Sequence, residues 1–355
     1  MTQGIQQLVS EPQGLPRRPR ARLGDVVRVL GATSFALLCA AARRLTGRRR
    51  RLAWGFGLEL LVAAYRGCWS VLPAIGIVRW RNVGEALSPL VTDGLAPRFV
   101  TDAELAGARG AWLEPPGSGD AVLLYFHGGG FTFGSLRTHG ELIGALARAA
   151  RARTLALEYR LSPEHPAPAA IEDALAAYRA LRAQGTRRIV LAGDSAGGTL
   201  VLLLMMALRD AGEPLPAAGV AICPWVDLTC SGASFHANAA FDFVGEEQCR
   251  MAAASFLAGA DPRRPDLSPA FGDLSGLPPL LVQAGEAEVL VDQVREFAAR
   301  ALVAGAELEL SVYPDMVHVW HMMRAGTPDA QRAIDEVGAF VRRHLDGAAA
   351  PTHAS

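Results

Sequence analysis

Ser195 is the residue whose surroundings most suit nucleophilic chemistry. It stands in the pattern Gly193-x-Ser195-x-Gly197, between an apolar strand-like stretch and an apolar helix-like stretch. Glycines two positions before and after the serine keep side chains out of a strand-to-helix turn, so the hydroxyl can project above the sheet edge. The start of the helix also turns free N–H groups, that of Ala196 among them, toward negative charge forming beside the serine. The pattern therefore predicts a nucleophilic serine.

A base must activate this serine, because a hydroxyl at its ordinary pKa is a weak nucleophile. When the nucleophile sits in such a turn, an acid and then a histidine follow it along the chain. His318 lies in a loop just beyond the last predicted strand, where this base is expected. His321 is the competitor, although it falls in the next predicted helix. His139, His165 and His236 precede the acid candidates, so their order is wrong.

Three carboxylates compete to orient the histidine. Glu286, Glu288 and Asp292 all follow the predicted strand 280–284 within a few residues. Asp292 falls in the first turn of the next predicted helix, where the helix dipole alone favours an acidic residue. The residue types and spacing alone do not decide which of these three carboxylates orients the histidine.

A glycine-rich loop, His127-Gly128-Gly129-Gly130-Phe131, directly follows another predicted strand. Successive glycines make sense where backbone N–H groups must approach a substrate oxygen with no Cβ in the way. The loop is therefore interpreted as an oxyanion loop. His127 is expected to brace it rather than to transfer protons.

Alternating apolar strands and helices position these residues. The predicted strands span 121–126, 154–159, 188–191, 218–223, 280–284 and 307–312, and the predicted helices span 141–151, 169–181, 200–208, 291–303 and 329–344. Repeated βα units of this kind predict an α/β fold with a mostly parallel sheet covered on both faces. The interval 224–278 interrupts the alternation of strands and helices. It contains five prolines and one predicted helix, 246–257. We expect it to form a lid at the carboxyl ends of the strands.

Four motifs together resemble the hormone-sensitive-lipase-like family of α/β-hydrolase fold esterases. They are HGGGF at 127–131, YRLSPE at 159–164, GDSAGG at 193–198, and Tyr313-Pro314 followed by His318. The resemblance covers about residues 121 to 344. It implies the α/β-hydrolase fold, with a cap built from N-terminal helices and an insertion like 224–278.

The resemblance also assigns roles to individual residues. It implies Ser195 as nucleophile and His318 as base. In the family the acid lies in a D-P-L-x-D pattern, which corresponds here to residues 288–292 and implies Glu288 in place of the commoner aspartate. The implied oxyanion hole consists of the N–H groups of Gly129, Gly130 and Ala196.

The substrate pocket is predicted from two places in the chain, the oxyanion loop with the residues after it and the end of the predicted strand 218–223. Phe131, Phe133 and Trp225, with residues of 224–278, are expected to line the acyl or alcohol pocket. The alternative for these aromatic side chains is core packing.

Composition excludes several kinds of chemistry. The 355 residues include no lysine, so neither Schiff-base nor Ser-Lys chemistry is available. Five irregularly spaced cysteines indicate neither a disulfide framework nor a zinc site. We therefore expect no metal and no cofactor.

The N-terminal region differs in charge from the rest of the chain. Residues 1–66 hold twelve arginines against three acidic residues, a net of +9 in a chain whose formal charge is zero. After a polar arm at 1–20, two apolar helices are predicted near 24–45 and 52–70, as a cap or as helices lying in a membrane surface. The apolar run 29–42 is shorter than the roughly 20 residues that cross a bilayer. We expect a cytoplasmic protein, peripheral at the membrane, rather than a secreted one.

These observations predict a serine hydrolase of short- to medium-chain acyl esters, with a lactonase or a deacetylase of a bulky lipid or sterol acetate as alternatives. A non-catalytic receptor is the remote alternative, since the family's receptors lack the histidine that stands here at His318. As binding partners we expect a small-molecule ester and no nucleic acid, and we consider a homodimer. The predicted division is 1–96 arm with cap or anchor helices, 97–223 with 279–346 catalytic domain, 224–278 cap insertion and 347–355 tail.

Overall fold

A computed structural model describes residues 20–87, 98–100 and 105–346 of the chain. Its strands are β1 (Arg98–Val100), β2 (Gly110–Leu113), β3 (Val122–Phe126), β4 (Arg153–Leu157), β5 (Ile189–Asp194), β6 (Ala218–Ile222), β7 (Leu280–Gly285) and β8 (Leu308–Tyr313). Its helices are α1 (Leu23–Leu45), α2 (Phe56–Trp69), α3 (Leu72–Ile75), α4 (Ile77–Leu87), α5 (Leu136–Ala150), α6 (Ala169–Ala183), α7 (Ala196–Asp210), α8 (Ser234–Ala237), α9 (Glu246–Leu257), α10 (Val291–Val303) and α11 (Pro328–Asp346). The predicted arm up to residue 19, the predicted tail 347–355 and the predicted boundary at residue 96 lie outside these residues.

The strands form one sheet in the order β1-β2-β4-β3-β5-β6-β7-β8. β3 pairs in parallel with both β4 and β5, so that Val122 lies opposite Arg153 on one side and Ile189 on the other. β1 and β2 add an antiparallel edge, and every pair from β4 through β8 is parallel. The predicted α/β fold is confirmed. β1 and β2 were not predicted, because three or four residues are too few to show a strand period.

Helices cover both faces of the sheet, because its central strands are apolar on both sides. All residues of β3 and β5 are buried. Side chains alternate along β3, so Leu124 joins one core with Leu200 of α7, and Leu123 joins the opposite core with Val337 of α11. The sheet is therefore a rigid platform whose loops at the carboxyl ends can carry a site.

The carboxyl ends of the parallel strands bring together the sequence motifs. The oxyanion loop follows β3, Ser195 follows β5, Glu288 follows β7 and His318 follows β8. The chain between β6 and β7 holds α8 and α9, and the predicted helix 246–257 matches α9. These loops and this insertion meet at one edge of the sheet.

The N-terminal helices rest on the same edge. Trp54, just before α2, donates from Nε1 to the carbonyl of Asp315 at 2.7 Å, and Arg66 of α2 donates to the carbonyl of Ala239 at 3.0 Å. A Cβ at Gly67 would lie 2.6 Å from the Cα of Thr33, so α1 and α2 pack closely where they cross. The helices predicted near 24–45 and 52–70 match α1 and α2, whereas α3 and α4 extend the region beyond that prediction.

The outer face of α1 carries exposed apolar side chains. Leu23 is 78% exposed, Phe35 70% and Leu38 69%. α1 has 23 residues because the helix continues beyond the apolar run 29–42 at both ends. By length and composition, α1 and the segment Phe56–Ile75 could each cross a membrane, but 44% of the apolar window in the second segment is buried in the protein against 17% in α1.

Candidate active site

Ser195 occupies a strained turn between β5 and α7. Its backbone φ is 52°, in the left-handed region that residues with a Cβ rarely adopt. A Cβ on Gly193 would lie 2.4 Å from the carbonyl carbon of Gly197, so the turn can close only with glycine there. A Cβ on Gly197 would lie 2.0 Å from the carbonyl oxygen of Phe126. These close approaches hold the serine side chain above the sheet edge.

Ser195, His318 and Glu288 form a connected chain of side chains. Nε2 of His318 lies 2.9 Å from Oγ of Ser195, and Nδ1 of His318 lies 3.1 Å from Oε2 of Glu288. The Glu288 side chain is fully buried and His318 is 4% exposed. This geometry allows the carboxylate to fix the imidazole with its free nitrogen toward the serine hydroxyl.

The competing side chains lie elsewhere. Glu286 is at the protein surface with 46% of its side chain exposed. Asp292 accepts a hydrogen bond from the backbone N–H of Ser234 at 2.7 Å. His321 is buried with Nε2 2.8 Å from Oε1 of Gln283. Of the acid and base candidates, Glu288 and His318 are the pair that the structure brings to Ser195.

Asp194 ties the oxyanion loop to the turn that carries the serine. Its Oδ1 accepts a hydrogen bond from the backbone N–H of Gly128 at 3.0 Å and a second one from the hydroxyl of Tyr125. A Cβ on Gly128 would lie 2.3 Å from Oδ2 of Asp194, which explains the glycine. The loop and the serine turn are therefore held together by one buried carboxylate.

Gly129 and Gly130 line the cavity beside Ser195. Their φ values of 116° and 59° are ones that glycine adopts without steric cost. Ala196 begins α7, so its N–H belongs to the first turn of a helix and points away from the helix body. Two of the three residues predicted to supply the oxyanion hole thus line the same cavity as Ser195, and the third directly follows it in the chain.

The histidines of the site differ in protonation. Burial alone would lower the pKa of His318, but the hydrogen bond and negative charge of Glu288 outweigh it and raise the pKa above its ordinary value. Burial lowers the pKa of His127 and of His321 to about 3, so both rings are neutral. His127 stacks on Tyr159 beneath the glycine loop, as expected of a brace. His318 is therefore the histidine of this group that can accept a proton near neutral pH.

An apolar cavity of about 280 Å³ opens onto Ser195 and His318. Its aromatic walls come from the N-terminal helices, the oxyanion loop and the insertion: Tyr65, Trp69, Trp80, Phe133, Trp225 and Phe243. The rings of Trp80 and Phe133 lie 4.6 Å apart between centroids. Two of the predicted pocket residues, Phe133 and Trp225, thus face the cavity.

The third predicted pocket residue, Phe131, does not line the cavity. It is fully buried, and its ring stacks on that of Phe256 of α9 with 3.9 Å between centroids. The cause is local, because Phe131 has a positive φ of 60° that turns its side chain into the core. For this residue the core-packing alternative is correct.

Two residues that the sequence did not reveal are buried beside Ser195, His318 and Glu288, the three side chains that we call the triad. Asp242, from the insertion, accepts a hydrogen bond from the backbone N–H of His318 at 3.1 Å. Cys223, just after β6, accepts one from the N–H of Val319 at 3.4 Å. A lone acidic residue among alanines and phenylalanines was the signal available for Asp242, whereas no motif marks Cys223.

Three donor atoms near the triad come close enough for a metal ion to be considered. Atoms of Cys223, Glu288 and His318 lie within 4.8 Å of one another. Nδ1 of His318 already contacts Oε2 of Glu288. A metal ion that took Nδ1 of His318 as a ligand would have to compete with that contact.

Known proteins resemble this chain in sequence. A family model described as alpha/beta hydrolase fold matches residues 123–322. An acetyl-hydrolase of Streptomyces hygroscopicus is 49% identical over 234 residues, 65% of this chain and 78% of the relative. The esterase LipU of Mycobacterium tuberculosis is 34% identical over 275 residues, 74% of this chain and 92% of the relative.

Solved structures of esterases also resemble this chain. An esterase from the bacterial hormone-sensitive lipase family superposes with a TM-score of 0.70 and 38% identity, covering 92% of this chain and 100% of that one. The esterase EstE5 superposes with a TM-score of 0.77 and 39% identity, covering 82% and 99%. The strand-end site, the motifs and these relatives agree: this chain belongs to the α/β-hydrolase fold family, among the hormone-sensitive-lipase-like esterases, and is an ester-hydrolysing enzyme.

Proposed function

We propose that this protein is a serine carboxylester hydrolase that works through an acyl-enzyme. The observation that carries the proposal is the chain of contacts from Ser195 to His318 to Glu288, at 2.9 and 3.1 Å. His318 Nε2 takes the hydroxyl proton as Ser195 Oγ attacks the ester carbonyl carbon. The N–H groups of Gly129, Gly130 and Ala196 then stabilise the oxyanion of the tetrahedral intermediate.

Collapse of that intermediate breaks the bond between the carbonyl carbon and the alcohol oxygen, and His318 returns its proton to the leaving alcohol. Water then attacks the acyl-serine while His318 accepts a proton from it. The carboxylic acid leaves and the proton returns to Ser195. The Glu288 side chain stabilises the imidazolium each time His318 holds the transferred proton.

The cavity supports short- to medium-chain acyl esters as substrates. About 280 Å³ is at the small end of the volumes that hold drug-sized ligands. Its aromatic walls offer apolar contact and few hydrogen bonds, which suits an alkyl chain. The similar chain from Streptomyces hygroscopicus is named an acetyl-hydrolase, which supports the short end of this range.

Two alternatives remain within the same chemistry. A lactonase or a deacetylase of a bulky lipid or sterol acetate would use the same side chains, because each cleaves an acyl–oxygen bond. The receptor alternative is disfavoured by the short contact between His318 and Ser195, which ligand binding alone does not require. A panel of p-nitrophenyl esters, lactones and steryl acetates separates these activities.

Ser195→Ala should fold and lose about 10³-fold or more of kcat on p-nitrophenyl acetate, because the covalent route is gone while the oxyanion donors remain. Circular dichroism and thermal unfolding provide the check on folding. Turnover within a few-fold of the wild type would refute the proposed mechanism.

Glu288→Gln should fold and lose most of kcat, because an amide cannot stabilise the imidazolium of His318. Glu286→Gln and Asp292→Asn are matched controls from the same loop and helix start, and each should keep kcat within about threefold because neither side chain contacts His318. Steady-state kinetics of the three variants provide the test. A greater loss in Asp292→Asn than in Glu288→Gln would move the acid to Asp292.

Trp225→Ala should shift the preference among p-nitrophenyl esters toward longer acyl chains, because it removes a cavity wall. Phe131→Ala is the matched control, since its ring packs on Phe256 outside the cavity. We expect it to cost about 3–5 kcal/mol of stability with the acyl-length profile unchanged. If the acyl-length profile shifts equally in both variants, the assignment of Trp225 to the cavity wall is wrong.

We further propose that the protein is cytoplasmic and that residues 1–66 hold it at the surface of an anionic membrane. The outer face of α1 presents Leu23, Val27, Phe35 and Leu38, each at least 60% exposed. Arginines flank the helix at both ends, and each contributes on the order of 1 kcal/mol near an anionic leaflet. An apolar stripe between basic ends fits a helix lying in the interface.

Phe35→Glu should reduce cosedimentation with vesicles rich in phosphatidylserine, because it places a carboxylate in the apolar stripe. Val303→Glu, at an even more exposed apolar position at the end of α10, is the control and should bind as the wild type does. Binding should also weaken at high salt, since screening shortens the range of the arginine charges.

Unchanged cosedimentation of Phe35→Glu would contradict the membrane proposal. If ultracentrifugation instead shows a wild-type dimer that this substitution dissociates, the stripe is an interface between two copies of the chain. Retention on vesicles after alkaline extraction would indicate a membrane-spanning α1.

A further inference from the structure

Asp242 is a buried carboxylate that the steps of ester hydrolysis leave without a role. It lies in the insertion between α8 and α9 and is 1% exposed. Its Oδ1 accepts the backbone N–H of Phe243 at 2.8 Å and that of His318 at 3.1 Å. Its Oδ2 accepts the N–H of Val289 at 2.8 Å. Three backbone donors therefore converge on one ionisable side chain.

Two of these donors belong to the triad loops. One is the N–H of His318 itself, and the other is that of Val289, the residue that follows Glu288. The loop after β7 and the loop after β8 are thus joined through the two oxygens of a single carboxylate. Hydrogen bonds to an ionised acceptor are shorter and stronger than neutral ones, so this link resists separation of the two loops.

We propose that Asp242 is a positioning residue that sets the spacing between Glu288 and His318 and thereby holds the imidazole toward Ser195. This inference rests on the proposed triad. Asp242 does not line the cavity and touches no reacting atom, so it acts through the two loops.

Neighbouring contacts of the same segment support this role. Nδ2 of Asn238 donates to the carbonyl of Glu288 at 2.8 Å and to that of Glu286 at 3.0 Å. Arg66 of α2 donates to the carbonyl of Asp242. The segment 238–242 therefore holds the acid loop at several points and is itself held by the N-terminal helices.

The charge of Asp242 also acts on the base. Its negative charge raises the pKa of His318, and burial raises the pKa of Asp242 itself to about 6. The titratable groups that interact electrostatically with this carboxylate are Arg66, Cys223, Cys249, Glu288 and His318. Removing the charge of Asp242 should therefore lower the pKa at which His318 becomes protonated.

Asp242→Asn provides the direct test. The amide keeps one carbonyl acceptor but directs a donor at the N–H of Val289 or of His318, so the link between the loops is broken. We expect kcat on p-nitrophenyl butyrate to fall about 10- to 100-fold, with KM within about twofold of the wild type. The acidic limb of the kcat profile should move to lower pH, because the imidazolium has lost a neighbouring negative charge.

Asp227→Asn is the matched control. Asp227 is another buried carboxylate of the insertion, and it accepts the N–H and hydroxyl of Thr229, both at 2.8 Å, without contacting either triad loop. It should lose stability while keeping the wild-type kcat and pH profile. If Asp242→Asn behaves in the same way, Asp242 is only structural and the inference is wrong.

Asn238→Ala provides a second test of the inference if Asp242→Asn does not fold. Asn238 is partly exposed, so this variant should fold, and the lost hydrogen bonds to the acid loop should lower kcat about 3- to 10-fold. A wild-type kcat in Asn238→Ala would then overturn the inference. Ser195→Ala separates the two claims: if it is inactive while Asp242→Asn is normal, the positioning role alone fails.

Discussion

The left-handed backbone of Ser195 is the constraint on which the site depends. A non-glycine residue at φ 52° is unfavourable by itself and persists only because its surroundings force the turn. Here Gly193 and Gly197 let the strand and helix approach more closely than any side chain would permit. The same turn directs the hydroxyl to the sheet edge and places the start of α7 beside it. One strained residue thus sets both the position of the serine hydroxyl and part of its electrostatic environment.

The other groups must meet that serine from distant parts of the chain, and a parallel sheet solves this problem. Its strands end at one edge, so loops more than a hundred residues apart, such as those of Ser195 and His318, become neighbours. Strand ends bring loops close but do not fix them at hydrogen-bond precision. Buried carboxylates supply that precision here: Asp194 joins the oxyanion loop to the serine turn, and Asp242 joins the two loops that carry Glu288 and His318.

Whether a feature could be predicted from the sequence depends on how far apart along the chain its interacting residues lie. The serine turn and the oxyanion loop were predictable because glycine spacing encodes local backbone geometry. The acid remained open from the residues alone, since Glu286 and Glu288 differ only in which face of one loop they occupy. Phe131 was assigned to the pocket wrongly because a positive φ redirects its ring, and no feature of the sequence marks that angle. The role of Asp242 could not be predicted, because two of its three backbone donors, Val289 and His318, lie 47 and 76 residues away along the chain.

The N-terminal helices leave room for both roles, cap and membrane contact, that the sequence presented as alternatives. The inner face of α1 is fixed by contacts such as the hydrogen bond from Nε of Arg79 in α4 to Oδ2 of the buried Asp25, at 2.9 Å. Helices α2 and α4 contribute walls to the cavity. The outer face of α1 takes no part in that packing and leaves Phe35 and Leu38 in solvent. The cavity walls come from α2 and α4, whereas the proposed lipid contact uses the outer face of α1, so the two roles do not compete. Deleting α1 would remove the proposed lipid contact together with the support that α1 gives to α2 and α4, so only substitutions confined to the outer face can distinguish an anchor from a cap.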